Sequence, residues 1–185
     1  MIQAAEKRRI RTKEMALTGM MAAVLCVVSP FSIPLPVSPV PLTLATFVLY
    51  LSLYLLGTKK ALMSCLIYLL IGFAGLPVFS GFAGGIGRLV GPTGGYMAGY
   101  LFLLAVGGFF LKRAGKNLWL QAMGLTAGTL VCYGFGTLWL CVQMQMDFAG
   151  GLAVGVIPYL PGDAAKILVA VVLGQAIVRA VRRAA

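Results

Sequence analysis

The 185-residue chain contains no histidine and only four acidic residues. Histidine is the commonest general base and metal ligand near neutral pH, so its absence argues against most hydrolytic and metal chemistry. The sequence also lacks a GxxxxGK[ST] motif, which excludes ATP hydrolysis through a P-loop by this chain. Its four cysteines stand alone within apolar stretches, without the spacing of metal ligands. We therefore expect no metal site, no cofactor and no catalytic residue.

The residues that are abundant are those of a membrane protein. Hydrophobic residues make up 61% of the chain and charged residues 10%, which is more apolar surface than one soluble core buries. About 20 apolar residues are needed to cross roughly 30 Å of hydrocarbon. The charged residues divide the sequence into six such stretches, near 15–33, 40–57, 61–75, 93–111, 118–143 and 164–181. We predict an all-α integral membrane protein whose single transmembrane domain covers 1–185, with a basic segment at 1–14.

The distribution of positive charge predicts how these spans are oriented. If both termini are cytoplasmic, thirteen of the fifteen lysines and arginines lie on the cytoplasmic side, as the positive-inside bias requires. Only Arg88 and Lys166 then lie outside. All nine prolines also fall on the outer side. Because proline removes a backbone donor and disrupts helices, we expect irregular backbone there, packed in protein or lining a cavity.

Asp163 and Lys166 are the strongest candidates for a ligand site. They lie three residues apart in PYLPGDAAK (158–166), so they face the same side of the opening turn of the last span. Each would cost about 2.5–3.5 kcal/mol at the centre of a lipid-facing helix. They should therefore lie near its end or face a cavity. An N-capping aspartate with an ion pair beside the headgroups is the alternative.

The glycine-rich segment 75–96 is a second candidate. Glycine allows close approach of backbone to a ligand, and its aromatic residues, such as Phe82 and Tyr96, supply apolar walls. We predict a folded lid or pocket wall; a flexible re-entrant loop is the alternative. Arg88 is as well suited to reach lipid phosphates as to contact a ligand.

Small residues mark one face of the first span. Such residues let another helix approach closely, whether from a partner subunit or from this chain. The residues concerned are Ala16, Gly19, Ala22 and Ala23.

Two motifs give the sequence a family resemblance. The segments GLPVFSGFAGGIGRLVGPTGGYMAGY (75–100) and PYLPGDAAK (158–166) resemble the BioY family, the biotin-specific substrate-binding subunits of energy-coupling-factor transporters. The resemblance extends over nearly the whole chain. It implies a six-helix bundle in the cytoplasmic membrane of a prokaryote that captures biotin at its outer face.

The resemblance also implies partners and site residues. The first helix would dock on a transmembrane coupling subunit through its small-residue face, and two cytoplasmic ATPase subunits would supply the energy. The chain itself would not be an enzyme. The ligand-binding residues implied are Tyr96, Asp163, Lys166 and, from the glycine-rich segment, Gly81, Phe82, Gly84, Gly85, Gly87 and Arg88.

Three alternatives remain at the level of sequence. The first is a substrate-binding subunit of the same kind for another vitamin. The second is a membrane-embedded enzyme with Asp163 and Lys166 as an acid/base pair, which the absence of histidine and of a second nearby carboxylate disfavours. The third is a small structural or assembly protein, for which elaborate outer loops would have no purpose.

Overall fold

The computed structural model describes the backbone of residues 2–36 and 38–184 and the side chains of 12–36 and 38–180. Helices account for most of the chain. The elements in order are α1 (Ile2–Val28), β1 (Ser32–Leu35), β2 (Ser38–Thr43), α2 (Ala45–Phe73), α3 (Ile86–Val90), α4 (Gly94–Ala114), α5 (Leu118–Met144), α6 (Phe148–Gly155), a 3₁₀ turn (Ile157–Tyr159) and α7 (Leu160–Ala184). The basic segment predicted at 1–14 is helical from Ile2 onward and continuous in α1 with most of the stretch predicted as the first span.

Four segments of the described chain are long and apolar enough to cross a membrane. They are Ala45–Phe73, Gly94–Ala114, Leu118–Met144 and Phe148–Ala180. Large apolar side chains point outward from these helices, among them Val142 and Val172, which are 70% and 66% exposed. Such a surface is stable only against lipid or another protein.

A break at Gly57 divides α2 into two parts. Gly57 has φ 72° and ψ 170°, a conformation that glycine adopts without steric penalty. Thr46, near the start of α2, contacts Lys166 of α7, whereas Lys60, just after the break, pairs with Glu14 of α1 at 2.5 Å. The two parts correspond to the predicted spans 40–57 and 61–75. The count of six spans stays a prediction.

The two ends of the bundle differ in chemistry. One end, the hairpin end, consists of residues 29–36, 38–46, 72–96 and 144–166, and it includes all nine prolines. The other, the basic end, consists of residues 12–18, 57–61, 111–121 and 175–180, where most of the described lysines and arginines lie. That both termini are cytoplasmic stays a prediction, which a reporter fused after Ala185 would test; Ala185 itself is outside the described residues.

The proline-rich first connection forms a β-hairpin instead of irregular backbone. Its strands β1 and β2 pair antiparallel, with Ser32 opposite Thr43 and Leu35 opposite Ser38. Each strand of a two-stranded sheet has a free edge, so a proline there need not break the ladder. The all-α class is therefore correct for most of the chain but missed this hairpin.

Glycines allow α4 and α5 to pack closely. A Cβ atom on Gly128 would lie 2.7 Å from the carbonyl oxygen of Leu103, and one on Gly99 would lie 2.8 Å from the sulfur of Cys132. Helices in membranes associate chiefly through such close van der Waals contact, because lipid provides no hydrophobic drive between them. This tight pair fixes the positions of Tyr96 on α4 and Tyr133 on α5.

Candidate functional site

A cavity of about 50 Å³ lies at the hairpin end, between α2, α4, α5, α7 and the hairpin. We call it the site cavity. Its wall is rich in hydroxyl groups and contains one carboxylate and one ammonium group. The polar lining residues are Thr43, Thr46, Tyr96, Tyr100, Thr129, Tyr133, Tyr159, Asp163 and Lys166.

Asp163 is the anionic centre of the cavity. Its side chain is buried, and both carboxylate oxygens accept hydrogen bonds: Oδ2 from the Tyr133 hydroxyl at 2.5 Å and Oδ1 from Lys166 Nζ at 2.8 Å. Each carboxylate oxygen accepts about two hydrogen bonds. Each oxygen therefore retains the capacity to accept about one further hydrogen bond.

Lys166 links α7 to the hairpin and to α2. Besides Asp163, its ammonium group donates to the carbonyl oxygen of Thr43 at 2.6 Å and to Thr46 Oγ1 at 3.3 Å. The side chains of Lys166 and Asp163 are only 12% and 9% exposed. Asp163 lies within α7, which begins at Leu160, so it is not an N-cap. The geometry favours a buried pair facing a cavity over a capped pair among headgroups.

Tyr96 reaches the cavity from the first turn of α4. Its ring is buried, and its hydroxyl donates to the Gly155 carbonyl oxygen at 3.1 Å and lies 3.2 Å from Thr137 Oγ1. A Cβ on Gly136 would lie 2.3 Å from the ring, so α5 packs directly against it. The ring is thus a fixed wall of the cavity.

Tyr159 holds the hairpin against the start of α7. Its hydroxyl lies 2.7 Å from Ser38 Oγ and also contacts the carbonyl oxygen of Val40. Its single proton serves one of these acceptors at a time. Tyr159 and Lys166 together attach both ends of β2 to the last part of the chain.

The glycine-rich residues predicted to contact ligand lie elsewhere. Phe79 is fully buried against Tyr68, with ring centroids 5.5 Å apart, and Gly85 N donates to the Gly72 carbonyl oxygen at 2.7 Å. These contacts hold the segment over the end of α2. The predicted residues outside the lining of the site cavity are Gly81, Phe82, Gly84, Gly85, Gly87 and Arg88.

Two of these residues have identified contacts of their own. Phe82 is exposed, has φ 56° and packs edge-on against Phe31 with a centroid distance of 5.4 Å. Arg88 donates to the carbonyl oxygen of Ser80 at 3.4 Å. Ligand contact by this group stays a prediction, whereas Asp163, Lys166 and Tyr96 are brought together in one cavity.

Sequence reasoning missed several residues of the cavity. Tyr133 and Thr129 are polar residues within the largely apolar α5, Thr43 is the last residue of β2, and Tyr159 is the last residue of the 3₁₀ turn. A tyrosine within a membrane span was a usable signal, because intramembrane polar groups need a partner. The contribution of the Thr43 backbone carbonyl had no sequence signal, because it depends on where the hairpin places it.

The small-residue face of α1 is only partly exposed. Ala16, Gly19 and Ala23 face outward, and a Cβ on Gly19 would meet nothing within 4 Å. Ala22 is 1% exposed and packs against the protein's own helices, so it is not part of the exposed face.

The site cavity is built for binding more than for catalysis. Asp163 offers acceptors, Lys166 and the hydroxyls offer donors, and the aromatic rings enclose apolar groups. Within the described residues, no group of three or more histidine, cysteine, aspartate or glutamate side chains is placed to hold a metal ion. A ligand that suits this wall combines polar groups of both kinds with an apolar body.

Comparison with known proteins identifies a family that this chain matches. The model of the BioY family matches residues 3–183. The biotin transporter BioY of Thermotoga maritima is 35% identical over 161 residues, which cover 87% of this chain and 93% of that protein. The biotin transporter BioY2 of Lactococcus lactis subsp. cremoris is 33% identical over 167 residues, 90% of each chain.

A solved structure shares the fold. The crystal structure of the S-component for biotin from an ECF-type ABC transporter superposes with a TM-score of 0.84. The two chains are 28% identical, and the match covers 95% of this chain and 93% of the other.

Proposed function

The chain belongs to the BioY family, and from that premise we propose that it captures biotin in the site cavity for uptake into the cell. The observation that carries the proposal is the buried Asp163–Lys166 pair, held by Tyr133 and Thr43 at one end of a membrane bundle. Family membership confirms the resemblance read from the two motifs. The relatives are named as transporters, which also confirms that the family is not one of enzymes.

The chemistry of biotin fits this cavity. Its ureido group has two N–H donors, whose hydrogen bonds the Asp163 carboxylate can accept, and a carbonyl oxygen that hydroxyl or ammonium donors can reach. Its fused ring and sulfur are apolar and suit aromatic walls such as Tyr96 and Tyr100. Thiamin and riboflavin present other arrangements of donors, so the site should discriminate against them.

The cavity must widen to admit this ligand. Its volume of about 50 Å³ is well below the usual 300–1,000 Å³ of a small-molecule pocket. The hairpin and the short segment that carries Gly155 and Tyr159 are the described walls that do not belong to long helices. Biotin entry therefore requires the contacts of Tyr159 with Ser38 and of Lys166 with Thr43 to loosen.

The membrane arrangement follows from the same proposal. The chain is a multi-pass membrane protein. We place it in the cytoplasmic membrane of a prokaryote with six spans and both termini inside, because the described cations concentrate at the basic end. The hairpin end and its cavity then face outward, where biotin arrives.

Uptake would require a coupling subunit and two cytoplasmic ATPase subunits, since this chain has no P-loop. The exposed face of α1 is the place where we expect the coupling subunit to dock. A groove of about 410 Å³ runs beside Gly19, between α1 and the second part of α2. It is lined by Glu14, Met15, Thr18, Gly19, Lys60, Met63 and Ile67.

Gly19→Leu or Ala23→Leu is expected to weaken copurification of the coupling subunit at least fivefold and to leave biotin binding within twofold. Both positions are exposed, so leucine does not disturb this chain but prevents close approach of a second helix. Met20→Leu, also on the exposed surface, is the matched control. Loss of biotin binding with assembly preserved would place this face inside the bundle.

Equilibrium binding to the purified protein tests the function itself. We expect biotin to bind at least a hundredfold more tightly than thiamin or riboflavin, because only biotin presents paired ureido donors to Asp163. Ligand recovered after binding should be chemically unchanged. Tighter binding of another vitamin would mean that the protein is a capture subunit for that vitamin. A chemically altered ligand would favour a membrane-embedded enzyme.

A further inference from the structure

A second cavity, of about 330 Å³, lies at the basic end between α2, α4, α5 and α7. We call it the basic-end cavity. It shares no lining residue with the site cavity. Its polar lining comes from Tyr54, Thr58, Lys112, Gln121 and Gln175.

One wall of this cavity is held rigidly. Gln121 is 1% exposed, accepts a hydrogen bond from the Tyr54 hydroxyl at 3.0 Å and donates to the Gly115 carbonyl oxygen at 2.7 Å. The backbone of α7 lies directly on the Tyr54 ring, because a Cβ on Gly174 would be 2.4 Å from it. The cavity is thus part of the folded bundle and not a gap between mobile ends.

Positive charge at this cavity is not neutralised by the described part of the chain. The acidic residues whose side chains are described lie elsewhere: Glu14 pairs with Lys60, Asp163 pairs with Lys166, and Asp147 is at the hairpin end. Lys112 therefore lines the cavity with no acidic partner among the described residues. Gln175 likewise has no hydrogen-bond partner among them, so its amide is available to a ligand.

We propose that the basic-end cavity binds the phosphate-bearing headgroup of an anionic phospholipid from the adjacent leaflet. Phosphate oxygens are acceptors for the Lys112 ammonium, the Gln175 amide and the Thr58 hydroxyl. Basic pockets between transmembrane helices are known headgroup sites as a class. The site is separate from the biotin site and does not depend on it.

The rest of the lining favours a lipid over free phosphate. Leu53, Leu111 and Val178 form an apolar part of the wall. Free phosphate has nothing to place there, whereas the glycerol and the first methylenes of an acyl chain do. The volume of about 330 Å³ also lies within the roughly 300–1,000 Å³ usual for a small-molecule pocket, more than a single small anion needs.

Thermal unfolding in detergent tests this site. The probes are phosphatidylglycerol and phosphatidylcholine with the same acyl chains, titrated into delipidated protein; a lipid that binds only the folded state raises the Tm. We expect phosphatidylglycerol to bind the wild type at least tenfold more tightly than phosphatidylcholine. Lys112→Gln should weaken phosphatidylglycerol binding at least tenfold, whereas Lys59→Gln, a cation at the same end but outside the cavity, should change it less than twofold.

A second variant distinguishes binding in the cavity from attraction to its positive charge. Gln175→Leu keeps every charge and is expected to weaken phosphatidylglycerol binding at least threefold, and it carries the test if Lys112→Gln does not fold. Equal losses in Lys112→Gln and Lys59→Gln would mean diffuse surface attraction and would overturn the site. Displacement of the lipid by millimolar inorganic phosphate would assign the cavity to a free anion instead. Because Tm is the readout, failure of biotin binding would leave this result unaffected.

Discussion

Asp163→Asn and Lys166→Ala are each expected to lower the affinity for biotin by more than tenfold while the protein still inserts and purifies. A charge-assisted hydrogen bond contributes about 1.5–3 kcal/mol, and a buried group left without its partner costs at least about 1 kcal/mol more. A factor of ten needs only about 1.4 kcal/mol. Lys166→Ala also leaves the Thr43 carbonyl oxygen without its ammonium donor.

Isothermal titration with biotin, with Tm measured alongside, separates loss of the site from loss of the fold. Asp147→Asn is the matched control, since Asp147 is an exposed carboxylate at the same end of the bundle but outside the site cavity. It should bind biotin like the wild type. Near wild-type affinity in both Asp163→Asn and Lys166→Ala would remove this pair from the ligand site.

Gly128→Ala is expected to destabilise the protein by about 1–3 kcal/mol, because the added methyl group would have to displace the backbone of α4. A Cβ at this position would lie 2.7 Å from the Leu103 carbonyl oxygen and 3.1 Å from Gly107 N. Neither atom can move without shifting the helix. Biotin binding should weaken as well, since α4 and α5 position Tyr96 and Tyr133.

Gly134→Ala in the same helix provides the control. A Cβ at Gly134 would meet nothing within 4 Å, so alanine adds helix propensity without a clash. We expect its stability to be unchanged or higher by up to about 1 kcal/mol. Chemical unfolding in detergent compares the two variants, and equal stabilities would mean that α4 and α5 are not tightly packed.

Composition and the two motifs are enough to predict the helical membrane architecture and the charged pair of the site. The predicted spans 93–111 and 118–143 agree with α4 and α5 to within a few residues, because the bilayer sets the length of a span. Asp163 and Lys166 were identifiable because charge inside a membrane has few structural uses.

The remaining part of the site depended on packing that has no local signature. The hairpin is formed by residues that single-sequence reasoning treats as loop, because five prolines lie in or beside it. Glycine density predicts ligand contact at 81–87, which stays a prediction; the structure places these residues outside the site cavity, in a segment whose Phe79 is buried against α2. Tyr133 is signalled by its place in a membrane span, but its bond to Asp163 and the role of Tyr159 depend on how the helices and the hairpin pack.

The attachment of the hairpin to α7 has a consequence for biosynthesis. Thr43 and Lys166 are 123 residues apart, and Ser38 and Tyr159 are 121 apart. At a ribosomal rate of roughly 5–20 residues per second, β2 emerges about 6–25 s before the side chains that hold it. The earlier helices are made while the hairpin is still unattached, so the ligand site can form only after the start of α7 has been synthesised.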